Sequence, residues 1–163
     1  MILKKDKSQS YRLESGPHFT LQWHITAECD QHCMHCYCYD SPTYENEIKK
    51  ELSYEDCVRV IDDFSECFNN WGMPTRINFT GGDPLLRKDI FDLIGYAKRK
   101  GILIGILGNP NHLDYETSCK LKKLGVYRYQ VSIDGLEETH DRLRNSKGLF
   151  KDTIRAIHIL EDV

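Results

Sequence analysis

Residues 29–36 read Cys-Asp-Gln-His-Cys-Met-His-Cys, and this stretch decides how the rest of the chain is interpreted. Three residues separate Cys29 from Cys33, and two separate Cys33 from Cys36. A loop of this length can wrap three thiolates around a cubane iron–sulfur cluster, which leaves one of its four irons without a protein ligand. An open iron can bind a substrate, whereas a pure electron carrier uses four cysteines. The spacing therefore favours a catalytic [4Fe–4S] site.

A zinc site is the alternative that the same stretch leaves open. Cys38 supplies a fourth thiol, and four thiolates can bind one zinc ion. Zinc ligands usually come as two separated pairs, and these cysteines do not, so the iron–sulfur cluster is favoured. We assign no ligand role to Cys38, and we interpret His32 as an exposed loop residue.

The composition is that of one globular domain. Of the 163 residues, 40% are hydrophobic and 29% are charged. The formal net charge of −3 gives no footprint for a polyanion, so we predict no nucleic-acid partner. No apolar run has the length of a membrane span, and the positive N-terminus lacks the apolar stretch of a signal peptide. We therefore predict a cytoplasmic protein whose seven cysteines do not form disulfides.

Apolar, β-rich runs alternate with helical patterns along the chain. The strand patterns cover residues 19–26, 76–80, 102–107 and 127–133, and helical patterns follow them from residues 53, 88, 114 and 150. Ser53 is the predicted cap of the first helix, and Cys57 and Cys67 lie on its apolar stripe. Four such repeats predict an α/β fold with a parallel sheet and right-handed crossovers.

Unusual residues follow each predicted strand. The cysteine loop follows the first strand, Gly81-Gly82-Asp83-Pro84 the second, and Gly108-Asn109-Pro110-Asn111 the third. Ser132 and Asp134 close the fourth, where strand alternation places them on one face. Ligands bind at the carboxyl ends of parallel strands, so these four loops are predicted to form one site.

Together these motifs resemble the radical S-adenosylmethionine (radical SAM) superfamily, in which C-x3-C-x2-C follows the first strand of a (β/α) barrel. The resemblance implies that the open iron chelates the amino and carboxylate groups of S-adenosylmethionine. One electron from the cluster then cleaves the sulfonium to methionine and a 5′-deoxyadenosyl radical. His35 stands where the family usually has an aromatic residue, just before the third cysteine.

The resemblance also implies cofactor contacts for the other loops. Gly81, Gly82, Asp83 and Pro84 are similar to the family's GGEP motif, with Asp in place of Glu, which hydrogen-bonds the methionine amino group. An ordinary Gly-Gly-x-Pro turn is the alternative interpretation of this tetrapeptide alone.

The third and fourth loops complete the implied cofactor site. Ser132 and Asp134 correspond to strand-end residues that contact the ribose or the carboxylate of the cofactor, and Asn109 is predicted to line the pocket. The resemblance further implies that an arginine shortly after Asp134 can pair with the cofactor carboxylate. Arg144 fits that position better than Arg142.

The resemblance covers residues 19–163 and predicts a partial (β/α) barrel with about four βα units of an expected six. Residues 1–18 are predicted to be an N-terminal tail. The C-terminal strands and the auxiliary-cluster domain of the SPASM/Twitch subgroup are absent from the sequence. We therefore expect the chain to be part of a longer protein.

The segment from Ser132 to Arg144 is most similar to this SPASM/Twitch subgroup, which implies a maturase of a ribosomally made peptide. Its radical would abstract hydrogen from a precursor peptide or protein substrate, with an electron donor of the flavodoxin or ferredoxin type. Relatives that mature sulfatases or make quinone cofactors leave the substrate open. The alternative from another class is a zinc- or cluster-stabilised binding module without catalytic activity.

Overall fold

The computed structural model describes residues 19–39 and 41–163, so the predicted tail over residues 1–18 lies outside the described residues. Four strands form one parallel sheet in the order β1-β2-β3-β4. The strands are β1 (Phe19–Thr26), β2 (Thr75–Gly81), β3 (Leu103–Leu107) and β4 (Val126–Gln130). The predicted parallel α/β sheet is therefore confirmed.

Helices connect and flank these strands. They are α1 (Tyr44–Lys49), α2 (Tyr54–Asn69), α3 (Ile90–Arg99), α4 (Tyr115–Lys123), α5 (Glu137–Leu143) and α6 (Leu149–Asp162), with a 3-10 turn at Pro84–Leu86. α1 and α5 were not predicted, because α1 buries no residue and α5 buries only His140, so neither carries an apolar stripe. No helix in the described ranges is long and apolar enough to cross a bilayer.

The core lies between one face of the sheet and the longer helices. Phe79, Ile106 and Tyr129 pair across β2, β3 and β4 and are buried in the same cluster. Apolar residues of α2, α3, α4 and α6 complete this cluster, among them Cys57, Ile61, Leu93, Ile94, Leu121 and Ala156. Alternation along each strand places these side chains on one face of the sheet. Burial of that face fixes the strand register, so the ends of the strands lie side by side.

The Ser53 cap predicted for α2 is present, since the Ser53 hydroxyl accepts a hydrogen bond from the Asp56 N–H at 3.1 Å. Cys57 is buried as predicted, whereas Cys67 is exposed, which corrects its placement in the core.

The fourth strand ends at Gln130 and not at residue 133. Gln130 pairs with Leu107, the last residue of β3, so the chain beyond it has no strand to pair with. The Gly108 N–H donates to the Gln130 carbonyl at 3.2 Å and closes the ladder. Strand alternation therefore cannot place Ser132 and Asp134 on one face, and their positions depend on the loop.

Candidate cofactor site

A cavity of about 290 Å³ opens at the carboxyl ends of the strands. Nine of the residues predicted for the site line it: Cys29, Cys33, His35, Cys36, Gly81, Gly82, Asn109, Ser132 and Arg144. Asp83, Pro84 and Asp134 are not among the lining residues. The four loops that the sequence pattern grouped together thus surround one cavity, as predicted from the parallel topology.

The cysteine loop is held in place by short backbone hydrogen bonds. The Cys36 N–H donates to the Cys33 carbonyl at 3.0 Å, which folds the last part of the loop into a turn. The Met34 N–H donates to the Leu143 carbonyl at 2.9 Å and ties the loop to the end of α5. Both bonds keep Cys33, whose side chain is buried, at the wall of the cavity.

Nitrogen donors point at two of the three sulfurs. The Gln31 N–H and the Asn109 amide approach the Cys29 Sγ at 3.5 and 4.0 Å. The Arg144 guanidinium approaches the Cys33 Sγ at 3.6 Å. Donors in these positions stabilise a thiolate or a sulfur that carries negative charge, which is the state of a cysteine bound to a metal.

The protein alone disfavours the ionised form of Cys29. Burial is the largest cause that raises the pKa of the Cys29 thiol, and together with the negative charges of Asp83, Asp30 and Cys33 it brings this pKa to about 11 against the lowering effect of the Gln31 N–H. A bound cation reverses this balance because a coordinating thiol is deprotonated outright. Without a bound cation, Cys29 is therefore a neutral thiol near pH 7.

The distances between the cysteine sulfurs bear on the alternative of a single zinc ion. Four sulfurs around one zinc ion lie about 3.8 Å apart, given a Zn–S bond of about 2.3 Å. Within the part of the chain that the structure describes, no three cysteine sulfurs lie within 4.8 Å of one another. A cubane binds its thiolates through different irons and so needs them farther apart. As placed here, the described cysteine sulfurs do not form a closed site for one ion, and the [4Fe–4S] cluster on Cys29, Cys33 and Cys36 stays a prediction.

Cys38 is half-buried and lines the same cavity. Its thiol interacts with Tyr37 and Cys36, and burial raises its pKa. His32 is exposed and packs on the Tyr39 ring, as expected for a loop histidine.

Gly81 and Gly82 are required by the chain's own backbone. A Cβ at Gly81 would lie 2.0 Å from the Thr26 carbonyl oxygen, and a Cβ at Gly82 would lie 2.0 Å from that of Glu28. Gly81 also has a φ of +123°, which side chains rarely tolerate. The glycines let the second loop pair with the start of the cysteine loop through the Gly82 and Asp83 N–H groups.

Asp83 turns away from the cavity and is fully buried. Its Oδ1 accepts the Leu85 N–H at 3.1 Å, whereas its Oδ2 has no hydrogen-bond partner. Burial raises the pKa of this carboxyl to about 6. Pro84 is buried at the start of the 3-10 turn. The predicted contact of the Asp83 side chain with a cofactor amino group stays a prediction.

Asp134 holds Arg144 in a two-point ion pair. The Arg144 Nε and Nη2 donate to the two Asp134 oxygens at 2.5 and 3.0 Å, and this hydrogen bonding lowers the pKa of Asp134. The predicted pairing of Arg144 with a cofactor carboxylate stays a prediction, since Asp134 occupies these donors here. Arg142 is exposed.

Two buried polar residues at the cavity wall were not predicted from the sequence. His140 accepts the Asp134 N–H on Nδ1 at 3.3 Å, and burial lowers its pKa, so it is a neutral imidazole near pH 7. Gln31 is buried between Cys29 and Cys33, and its amide donates to Asn111 at 3.4 Å. The position of Gln31 between two ligand cysteines was the available signal, whereas His140 depends on the unpredicted helix α5.

A parallel sheet with three thiols and a glycine pair around one cavity at its carboxyl edge defines a cofactor-binding α/β protein. The chain belongs to the radical SAM superfamily, whose family model matches residues 23–163.

Several proteins with curated functions are similar to this chain. An Fe-coproporphyrin III synthase of Methanosarcina barkeri is 38% identical over 136 residues, which are 83% of this chain and 32% of that protein. The sporulation killing factor maturation protein SkfB of Bacillus subtilis is 31% identical over 88% of this chain and 32% of its own length. The chain thus spans about a third of the length of these relatives.

A solved structure has the same fold. Streptococcus suis SuiB bound to precursor peptide SuiA superimposes with a TM-score of 0.68 over 88% of this chain and 30% of SuiB, at 18% identity. This likeness confirms the partial barrel predicted from the sequence.

Proposed function

We propose that this chain is the cluster- and cofactor-binding part of an enzyme that cleaves S-adenosylmethionine reductively. The observation that carries the proposal is the placement of Cys29, Cys33 and Cys36 on one cavity, with nitrogen donors directed at the Cys29 and Cys33 sulfurs. The three cysteines would hold a [4Fe–4S] cluster. When bound, the cluster and its S-adenosylmethionine supply a 5′-deoxyadenosyl radical.

The protein's own residues would position the cofactor and exclude water. Arg144, fixed by Asp134, places a cation beside Cys33 at the cavity wall. Gly81 and Gly82 offer a backbone surface that carries no side chain, and Ser132 and Asn109 add polar groups. His35 is exposed at the rim, where its ring can contact a nucleoside.

The cofactor proposal is tested by anaerobic reconstitution with iron and sulfide, followed by dithionite and S-adenosylmethionine. We expect about four irons per chain and formation of 5′-deoxyadenosine, and the Cys33→Ser variant should lose both. Cys67→Ser is the matched control, because this exposed cysteine lies outside the cavity. One zinc per chain without 5′-deoxyadenosine would instead support the non-catalytic binding module.

For the substrate, we propose a precursor peptide or protein, from which the radical abstracts hydrogen. The fold shared with peptide-bound SuiB and the similarity to SkfB support a peptide maturase. The higher identity to an Fe-coproporphyrin III synthase favours a second candidate, a tetrapyrrole.

The two substrate classes make different predictions. A peptide substrate should lose hydrogen mass and gain a crosslink in mass spectrometry, whereas a porphyrin substrate should change its absorption spectrum. The assay uses anaerobically reconstituted protein, with a flavodoxin- or ferredoxin-type donor as the proposed reductant. We place the protein in the cytoplasm, because free cysteines such as those of this site persist in reducing compartments.

A further inference from the structure

We propose that Asp30, Asp83 and His112 form a binding site for one divalent transition-metal ion, separate from the cysteine site. One ligand atom from each of these residues lies within 4.8 Å of the other two. Two ligands around an ion at about 2.1 Å are at most about 4.2 Å apart, so only a small movement is needed to close the site. The proposal does not depend on the proposed function.

The three residues come from three different loops at the carboxyl edge of the sheet. Asp30 lies in the cysteine loop, Asp83 follows β2, and His112 follows β3. None of them lines the cavity of the cysteine site. A bound ion would therefore join the three loops outside that cavity.

Asp83 provides the independent sign that a ligand is missing. This carboxyl group is fully buried, yet its Oδ2 has no hydrogen-bond partner. Buried polar atoms are normally satisfied, and an uncompensated carboxylate oxygen costs free energy. A carboxylate oxygen of Asp83 lies within 4.8 Å of a ligand atom of Asp30 and of His112, and a cation bound among them would compensate this buried carboxyl group.

Asp30 and His112 lie side by side at the surface. The His112 Nε2 is 3.0 Å from the Asp30 Oδ2, and both side chains are partly exposed, so an ion can enter from solvent between them. Asn109 and Asn111 donate to the two Asp30 oxygens at 2.7 and 2.8 Å. These amides would keep the Asp30 carboxylate oriented after His112 turned to the ion.

The donor set indicates the class of ion. Two carboxylates and one imidazole suit Mn²⁺, Fe²⁺ or Zn²⁺, whereas Ca²⁺ and Mg²⁺ prefer an all-oxygen shell. Mn²⁺ is the sharpest probe, because it prefers carboxylate over the thiolates of the neighbouring site.

The test is a Mn²⁺ titration of the chelator-washed chain, followed by the electron paramagnetic resonance signal of free Mn²⁺. We expect one Mn²⁺ per chain, with affinity reduced about tenfold or more in His112→Ala and in Asp83→Asn. His158→Ala is the matched control, since this exposed histidine lies on α6, and it should bind as the wild type does.

A variant with Cys29, Cys33 and Cys36 all changed to Ser should retain the Mn²⁺. Unchanged affinity in His112→Ala, or no binding at 1 mM to a chain whose circular dichroism shows it folded, would overturn the proposal. Because His112 is partly exposed, its variant stays informative even where Asp83→Asn fails to fold.

Discussion

At the scale of single residues, Cys29 carries the strongest electrostatic prediction. Its pKa is raised to about 11 from 9.0, mainly by burial. At pH 8 the thiolate fraction should fall about a hundredfold below that of an ordinary thiol. We therefore expect iodoacetamide to modify Cys29 of the cluster-free chain far more slowly than the exposed Cys67, as read by peptide mass spectrometry. Equal rates for the two cysteines would show that Cys29 is not buried as described.

The surroundings of Arg144 predict how much this side chain contributes to the free energy of unfolding. Its ion pair with Asp134 is mostly buried, with side-chain exposures of 15% and 20%. Arg144→Ala leaves a partly buried carboxylate unpaired, so we expect the free energy of unfolding to fall by about 2 kcal/mol. Urea unfolding measures this, and Arg59→Ala, which breaks an exposed pair with Asp56, should leave the free energy of unfolding nearly unchanged.

The same pair predicts a pH dependence with a definite sign. Hydrogen bonding to Arg144 lowers the pKa of Asp134 below 3.8 in the folded chain. The pair therefore stabilises the fold above about pH 4 and loses this effect as the pH falls through the lowered pKa. The difference in the free energy of unfolding between wild type and Arg144→Ala should shrink below about pH 4. A difference that stays constant with pH would contradict this assignment.

At the scale of elements, two glycines respond oppositely to the same substitution. A Cβ at Gly82 would lie 2.0 Å from the Glu28 carbonyl oxygen, so Gly82→Ala must separate the second loop from the cysteine loop. We expect the free energy of unfolding of Gly82→Ala to fall by several kcal/mol, or the variant to be unfolded. Gly95 lies inside α3 with no contact below 3.6 Å, so Gly95→Ala should stabilise by about 0.5–1 kcal/mol. The midpoints of thermal unfolding of the two variants test these opposite expectations.

The short helix α5 acts on the site through its end. The Leu143 carbonyl accepts the Met34 N–H, and Arg144 follows directly as the residue that ends the helix. One element thus fixes both the cysteine loop and the guanidinium beside Cys33.

At the scale of the whole molecule, stability is unevenly distributed. Ile104 and Ile106 of β3 are fully buried between β2 and β4, whereas α1 has no buried residue. Native-state hydrogen exchange should therefore protect the β3 amides most and the α1 amides least. Protection of α1 equal to that of β3 would mean that this helix packs on something outside the described residues.

The sequence alone predicts the four strands, the four longer helices, the parallel sheet and the grouping of four loops at one edge, but not the short helices α1 and α5. These features follow from local signals, namely the cysteine spacing, the two periodicities of apolar residues, and the cap at Ser53. Parallel connection then places every strand end at one edge, which is why Cys29, Gly81, Asn109 and Ser132 were predicted to lie together.

The directions of individual side chains depend on contacts that form only in the folded chain. Asp83 is buried beside the partly exposed Asp30 and His112, Arg144 pairs with Asp134, and β4 stops at Gln130 because its partner strand ends. The Arg144–Cys33 contact joins residues 111 positions apart, and Asn109 reaches Asp30 across 79. Contacts between distant residues leave no periodic trace in the sequence, because they depend on distances that exist only after the sheet has formed.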